Sequence, residues 1–412
     1  MTPTVAEQGT IPRPVKFLLF AFFLTGFATV AQITIIGKQV FDMTGRELDL
    51  GLLGFAEFFP LAVLAPFTGS LADRLDRRIV FACGLLGEIM VSVGLFLVIR
   101  TSPTNIGPIF LLVTVYGVSR AVASPAARAL PIDLAPRDVL ERVTALRSVA
   151  YQAGVISGPI AAGVLFLVHP AAPYLMSAAA YIIGLCLVVT IPRPATRKLA
   201  TTGGVQAFRD AREGLRFIRR QPVVFGAITL DLFAVLFGGV VALLPAICEK
   251  RLGVGAVGLG GLRASIGAGA TGIAILLSVR PLRQRIGPVL LAVVGLFGVM
   301  TIVIGLTRSY LVAFLALAVA SAGDAVSVFI RSTLVPLATP EEMRGRVLAV
   351  ENVFIGASNE LGAVESGITA AAFGLVGAVL FGGIGTLLVV AVWWRYFPDL
   401  RRVNRFSDVR VN

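Results

Sequence analysis

The sequence has little of what enzymes and metal proteins use at their sites. It contains one histidine, His169, and three cysteines, Cys83, Cys186 and Cys248, at unrelated spacings in apolar runs. Such a set predicts neither a metal site nor a disulfide framework. It also lacks the Gly-x-x-x-x-Gly-Lys-Ser/Thr loop that would indicate direct use of ATP. We therefore expect a protein that is not an enzyme and that has no catalytic residues, no cofactor and no bound metal.

Charge is scarce as well. Charged residues make up 14% of the 412 residues and hydrophobic residues 57%, with a mean hydropathy of +0.89. A soluble chain of this length needs more polar surface than that. The run from Phe17 to Gly37 can cross a hydrocarbon layer of about 30 Å as one helix. It is too long for a signal peptide, and Lys38 follows it instead of a small-residue cleavage site, so we interpret it as a retained first helix.

Apolar runs predict twelve membrane spans, and hence an all-α integral membrane protein. The predicted spans are 17–41, 50–70, 79–99, 106–130, 143–167, 174–191, 222–248, 257–279, 288–306, 310–335, 346–373 and 375–397. The long polar interruption at 192–221 divides them into two sets of six. We therefore predict an N-terminal six-helix bundle at 1–191, a cytoplasmic linker at 192–221, and a C-terminal six-helix bundle with a cytoplasmic tail at 222–412.

The linker predicts an amphipathic helix. Phe208, Ala211, Leu215 and Ile218 recur every three to four residues, and five arginines fill much of the remaining surface. This pattern is typical of a helix that lies on the cytoplasmic lipid surface.

The net charge of +13 could indicate a nucleic-acid partner, but its placement argues otherwise. Most of the 36 Lys and Arg residues lie in segments that would be cytoplasmic if the chain starts inside and crosses twelve times. The basicity therefore indicates topology. We expect a multi-pass membrane protein, monomeric, with both termini cytoplasmic, the lipid bilayer as its setting and no nucleic-acid partner.

The two halves repeat each other. Shifting the sequence by 204 positions aligns Arg142 with Arg346, and Gly158 with Gly362. Related six-helix halves around an axis along the membrane normal are found in one large class of secondary transporters.

A short motif between the second and third spans narrows the prediction. The segment from Gly69 to Arg78 reads Gly-Ser-Leu-Ala-Asp-Arg-Leu-Asp-Arg-Arg. It resembles the cytoplasmic signature of the major facilitator superfamily, in which this loop latches the two halves in one state of the transport cycle. The resemblance implies a cytoplasmic latch made of Gly69, Asp73, Arg74, Arg77 and Arg78. Arg128 and Glu360 lie near the predicted cytoplasmic ends of their spans, so we expect them to belong to the latch or gate as well.

Other segments resemble the enterobactin-exporter-like branch of that superfamily, whose members are bacterial inner-membrane exporters associated with siderophores and drugs. The resemblance implies that this protein lies in the bacterial plasma (inner) membrane. The segments are Leu230–Gly239 with Leu243–Pro245, Gly258–Ala264, Ile330–Leu334, Ala338–Pro340, Met343–Val347 and Phe354–Gly362.

Twelve ionisable residues fall in or at the ends of spans, where each charge costs on the order of 3 kcal/mol. They are Glu57, Glu88, Arg120, Arg128, Arg147, Asp231, Arg263, Asp324, Arg331, Glu351, Glu360 and Glu365. Such residues pair with one another or line a wet path. Asp324 and Arg331 share a helix face, so one alternative is a static pair between them, or between Asp231 and Arg263.

The superfamily resemblance implies that spans one, four, seven and ten line the central cavity. It makes Arg120, Arg331, Phe233, Phe237 and Phe329 candidates for the substrate cavity. Our candidates for proton coupling are Asp231 and Asp324, followed by Glu57.

We expect a proton-coupled exporter of a small amphipathic molecule such as a siderophore, working by alternating access with protons and that small molecule as its partners. Three alternatives remain: a general multidrug efflux pump, an importer of the same fold, and a membrane scaffold or sensor that transports nothing.

Overall fold

The computed structural model describes residues 10–101, 105–136, 138–193 and 204–408, apart from the side chains of 65–67, 69–74 and 204–208. The regular secondary structure in these ranges is helical, without a strand. The helices are α1 Arg13–Thr44, α2 Glu47–Arg74, α3 Arg77–Arg100, α4 Gly107–Leu134, α5 Leu140–Val168, α6 Ala172–Thr190, α7 Gly204–Arg220, α8 Pro222–Phe237, α9 Leu244–Ile247, α10 Ala256–Val279, α11 Ile286–Leu306, α12 Tyr310–Leu337, α13 Glu341–Tyr396 and α14 Pro398–Arg402.

Ten helices of the described part are long and apolar enough to cross a membrane. One of them, α13, has 56 residues and holds two crossing segments joined at Gly374. That residue has φ 74° and ψ 165°, a conformation open only to glycine without strain. The second crossing of α13 and the apolar helix α2 complete the twelve spans. The break at Gly374 lies between the predicted spans 346–373 and 375–397.

The predicted seventh span, 222–248, is not one continuous helix. Helix α8 ends at Phe237, and a 3₁₀ turn (Gly239–Val241), α9 and a π turn (Cys248–Leu252) follow it. The paired glycines at 238 and 239 have weak helix propensity, and Pro245 lacks an amide hydrogen, so regular α-helical hydrogen bonding stops here.

Contacts divide the chain into two compact units. Unit 1 comprises Met1–Ile36 and Ala56–Gly203, and unit 2 comprises Gly37–Phe55 and Gly204–Asn412. The end of α1 and the beginning of α2 therefore group with unit 2. The domain boundaries drawn from the linker at 192–221 stay a prediction.

In unit 1, α3 packs against both α4 and α6. Small residues let these helices approach closely: a Cβ added at Gly84 would lie 2.9 Å from the Ala123 Cα. Phe81, Leu85 and Tyr181 fill the core beside this contact and are almost fully buried.

In unit 2, α8 and α11 pack against α13, and α12 packs against α10 and α11. The Trp393 indole donates a hydrogen bond of 2.9 Å to the Gly226 carbonyl, which joins the end of α13 to α8.

The amphipathic helix of the linker forms, as α7, but its apolar side covers protein. Leu215 and Ile218 pack in a cluster with Val347 and Val350 of α13, and Ile218 is fully buried. The prediction that this face lies on lipid is wrong for these two residues, because helical periodicity does not distinguish an apolar bundle from a bilayer. The Phe208 side chain lies outside the described part.

Candidate functional site

The best-defined polar site of unit 2 is centred on Arg331 of α12. Its Nη2 lies 2.7 Å from Oδ1 of Asp231 on α8, and its Nη1 lies 3.9 Å from Oε1 of Glu351 on α13. The relative exposures are 3% for Arg331, 5% for Asp231 and 6% for Glu351. Ser327, one turn earlier on α12, accepts a hydrogen bond of 3.4 Å from the arginine Nε. We call Asp231, Arg331 and Glu351 the buried triad.

The buried triad has two carboxylates and one guanidinium. With both acids ionised it carries one surplus negative charge, and an uncompensated charge away from water is costly. One added proton makes the triad neutral. The arrangement can therefore bind and release a proton that the two acids share.

The structure overturns two pairings considered from the sequence. Arg331 pairs with Asp231 and Glu351, while Asp324 is exposed and makes no ion pair within the described residues. Arg263 donates a hydrogen bond of 3.4 Å to the Val241 carbonyl and does not form the ion pair with Asp231.

Unit 1 holds a second ion pair, between Glu57 of α2 and Arg120 of α4. Glu57 is one of the proton-coupling candidates and Arg120 one of the cavity candidates from the sequence, and the structure brings the two side chains together. The Arg120 guanidinium also lies over the Tyr116 ring, 5.8 Å from its centroid.

Another acid of unit 1, Glu88 of α3, lies beside that pair and is only 2% exposed. Its Oε2 has no hydrogen-bond partner within the described residues. Close by, Ser92 donates to Gln32 at 2.5 Å, and the Tyr181 hydroxyl lies 3.0 Å from that of Thr29. The sequence identifies Glu88 as a charged residue inside a span. Whether its side chain has a hydrogen-bond partner depends on helix packing, which the sequence does not show.

A cavity of about 530 Å³ opens among α1, α3, α4 and α5 of unit 1. Its lining combines charged, hydroxyl and aromatic side chains. They belong to Phe22, Thr25, Thr29, Phe81, Glu88, Arg120, Ser124, Arg128, Arg147, Ser148, Tyr151 and Gln152, with Ala123 and Ala127 between them. We call this the unit 1 cavity.

The aromatic residues predicted for the substrate cavity lie elsewhere. Phe233 and Phe237 line an apolar cavity of about 350 Å³ between α8 and the second part of α13, and Phe329 contacts the ring of Phe406. Phe233 follows Asp231 by two residues, so it points about 200° around the helix axis from the buried triad. Their role in binding substrate stays a prediction.

The predicted latch is described in part. The side chains of Gly69, Asp73 and Arg74 lie outside the described residues. Arg77 donates to both carboxylate oxygens of Asp133 at 2.9 Å, and Arg78 donates to the Ile191 carbonyl at 2.6 Å.

The other motif residues take local positions. Asp76, which the sequence had not singled out, forms the N-cap of α3 and accepts a hydrogen bond of 3.0 Å from the Arg78 amide. Arg128 lines the unit 1 cavity. Glu360 lies beside Gly54, where an added Cβ would be 3.1 Å from its Oε2. The latch and gate roles of these residues stay predictions.

Unit 2 also holds a charged cluster that the sequence analysis did not identify. Lys38, which is 8% exposed, contacts Asp42 one turn later, and its Nζ lies 3.3 Å from Oε2 of Glu249. A hydrogen bond with Asp42 and the charge of Lys38 hold the pKa of Glu249 below its usual value. Glu249 is more than 200 positions from Lys38 in the chain, so spacing could not reveal that it joins the pair of Lys38 and Asp42.

The family model of the Major Facilitator Superfamily matches residues 18–363. The chain belongs to this superfamily of transporters.

Two curated relatives match over part of their length. The chain is 24% identical over 210 residues to an uncharacterized MFS-type transporter, YfiS, of Bacillus subtilis, covering 50% of this chain and 48% of that protein. It is 27% identical over 195 residues to the quinolone resistance protein NorA of Staphylococcus aureus, covering 46% of each. The chain thus matches about half the length of these relatives.

Solved structures match over nearly the whole chain. A bacterial homologue of the human lysosomal transporter Spinster gives a TM-score of 0.73 at 15% identity, covering 98% of this chain and 100% of that one. A peptide transporter, POT, gives 0.75 at 13% identity, covering 96% of each. At such identities the likeness establishes the fold, which is the major facilitator fold predicted from the sequence.

Proposed function

We propose that this protein is a proton-coupled exporter of small amphipathic molecules, and that the buried triad is its proton-binding site. The observation that carries the proposal is that two buried carboxylates, Asp231 and Glu351, share the single guanidinium of Arg331.

The triad joins three helices of unit 2, since its members come from α8, α12 and α13. A change in its proton number changes the attraction that holds Asp231 and Glu351 to Arg331. Protonation therefore alters the packing of three spans at once. This is the kind of coupling that alternating access needs.

Asp324 keeps a part in the proposal as the entry point for the proton. It lies seven residues before Arg331, on the same face of α12 and about 10.5 Å away along the axis. Asp324 makes no ion pair within the described residues, so its carboxyl group is available to take up a proton and pass it toward the triad.

Export is favoured by the similarity to NorA, a quinolone resistance protein. The cargo remains a drug or a siderophore, and the mixed polar and aromatic unit 1 cavity suits an amphipathic molecule of either kind. We also propose that both termini are cytoplasmic, on the distribution of Lys and Arg. The bacterial source of the relatives YfiS and NorA supports the bacterial inner membrane as the location.

The test uses everted membrane vesicles with an acidified lumen, supplied with a quinolone or an iron-free siderophore. The wild-type chain should accumulate one of the two probes, and a protonophore should abolish the accumulation. Asp231→Asn and Glu351→Gln should each prevent proton-driven accumulation while still allowing downhill equilibration. Asp399→Asn, which removes an exposed carboxylate of α14, is the matched control and should accumulate the probe normally.

Two outcomes would contradict the proposal. Full proton-driven accumulation by both triad variants would show that the triad is not the proton-binding site that drives transport. Accumulation of neither probe by the wild-type chain, in vesicles where the protein is present and folded, would favour the scaffold or sensor.

A further inference from the structure

The unit 1 cavity holds more positive than negative charge. Three guanidiniums line it, those of Arg120, Arg128 and Arg147, together with one carboxyl group, that of Glu88. Glu57 contacts Arg120 and neutralises it.

The other two arginines have no acidic partner within the described residues. Arg128 donates a hydrogen bond of 3.1 Å to Ser124, its neighbour one turn earlier on α4. Arg147 of α5 lies over the ring of Phe22, 5.8 Å from its centroid. A hydroxyl group and an aromatic face do not neutralise a guanidinium, so each keeps donors for an anion.

Aromatic side chains form another part of the lining. Phe22, Phe81 and Tyr151 come from three different helices, and Ser148 adds a hydroxyl group near Arg147 in sequence. The volume of about 530 Å³ falls within the range of small-molecule sites. The cavity thus combines an apolar wall with two unneutralised cations.

We propose that the unit 1 cavity is a subsite for an organic anion with an aromatic or apolar body, whose carboxylate, sulfonate, phenolate or phosphate group is bound by Arg128 and Arg147. The proposal rests on the proposed transport function and specifies its substrate class. A cationic ligand would be repelled by both guanidiniums, and Glu88 is the one acidic residue of the lining that could neutralise it. An anionic group can accept hydrogen bonds from the two guanidiniums, and the apolar part of the ligand can pack against the aromatic rings.

The test measures equilibrium binding of two probes with the same ring system and opposite charge, pyrene-1-sulfonate and 1-pyrenemethylammonium. The full chain is held in nanodiscs of zwitterionic lipid, and empty nanodiscs correct for partitioning. We expect the sulfonate to bind at least about tenfold more tightly than the ammonium probe.

Arg147→Gln and Arg128→Gln should each weaken sulfonate binding about tenfold and should not weaken binding of the ammonium probe. Arg142→Gln is the matched control, since it removes an exposed arginine of the same helix α5 that does not line the cavity. It should leave both affinities unchanged. Arg147→Lys keeps the charge but lacks the forked donors, so it should bind the sulfonate more tightly than Arg147→Gln does, which separates loss of charge from misfolding.

Preferential binding of the ammonium probe, lost in Glu88→Gln, would overturn the proposal in favour of a cation site. Sulfonate binding that is indifferent to both arginine variants would also overturn it. Neither result bears on proton coupling. Conversely, full proton coupling in both triad variants would overturn the proposed function and would leave an arginine-dependent anion site standing, so the two proposals fail separately.

Discussion

Arg331 is the only cation in the buried triad, and its loss should affect stability more than the loss of either acid. Asp231→Asn or Glu351→Gln leaves one guanidinium with one carboxylate. Arg331→Gln leaves two buried carboxylates without a cation, and removing one partner of a buried ion pair costs about 3–5 kcal/mol. We predict that Arg331→Gln lowers the midpoint of thermal unfolding in detergent far more than either acid variant.

The control for that comparison is Arg308→Gln, which removes an exposed arginine from the segment between α11 and α12. It should leave the midpoint unchanged. Equal midpoints for Arg331→Gln and the acid variants would show that the two carboxylates do not depend on the guanidinium.

At the residue scale, the sequence was sufficient to identify the charged residues inside the membrane spans but not their ion-pair partners. Asp231, Arg331 and Glu351 were recognised because a charge inside a span is costly. The seven-residue spacing of Asp324 and Arg331 predicts a shared face, but two helical turns separate them by about 10.5 Å, which is too far for an ion pair. The partners of Arg331 come from other helices, so helix packing decides them.

Among the helices, α13 depends on Gly374. Gly374 has a positive φ, and a Cβ added there would have no other atom within 4 Å. A substitution would therefore cost only the strain of placing a residue with a side chain in this backbone conformation. We predict that Gly374→Ala destabilises the protein by about 1–3 kcal/mol, measured by thermal unfolding in detergent. Gly345→Ala, in the regular part of the same helix and also without a close neighbour, should be neutral or slightly stabilising. A neutral Gly374→Ala would mean that the break in α13 does not need glycine.

The linker helix α7 is held to α13 by Arg346, which lies 3.0 Å from Asp210 and 2.6 Å from Glu213. The pairs are partly exposed, so they contribute on the order of 1 kcal/mol or less. We predict that Arg346→Glu increases hydrogen–deuterium exchange in 209–220 several-fold, because like charges then face each other. Adding Glu213→Arg to that variant should restore part of the protection. Unchanged exchange in Arg346→Glu would show that the apolar contacts of Ile218 hold the helix alone.

Helix positions were predictable because lipid demands long apolar segments whose backbone groups bond internally. The interruption after Phe237 was not predicted, since residues on both sides of it are apolar. The apolar face of α7 was found from its periodicity, but what covers that face depends on tertiary packing.

For the whole molecule, an anionic cargo has a consequence for energetics. Exchange of an entering proton for a departing monoanion moves two charges across the membrane, each worth about 2.3 kcal/mol per 100 mV. Exchange for a monocation moves none. We predict that a potassium diffusion potential, without a pH gradient, drives transport of an anionic probe in proteoliposomes. Transport that responds to a pH gradient but not to the diffusion potential would contradict anion–proton exchange.

Composition, span count and one loop motif were sufficient to predict the superfamily. The cargo was not predictable, because a cavity is formed by side chains from several helices, whose contacts the sequence does not display. Arg128 and Arg147 are 19 positions apart on different helices, yet they line the same cavity.

The most direct test of the buried triad counts protons in weakly buffered proteoliposomes, using the probe that everted vesicles accumulate. We predict that the wild-type chain moves about one proton for each probe molecule through the shared site, and that Asp231→Asn and Glu351→Gln move the probe without a proton. An unchanged ratio of protons to probe in both variants would contradict the role of the triad.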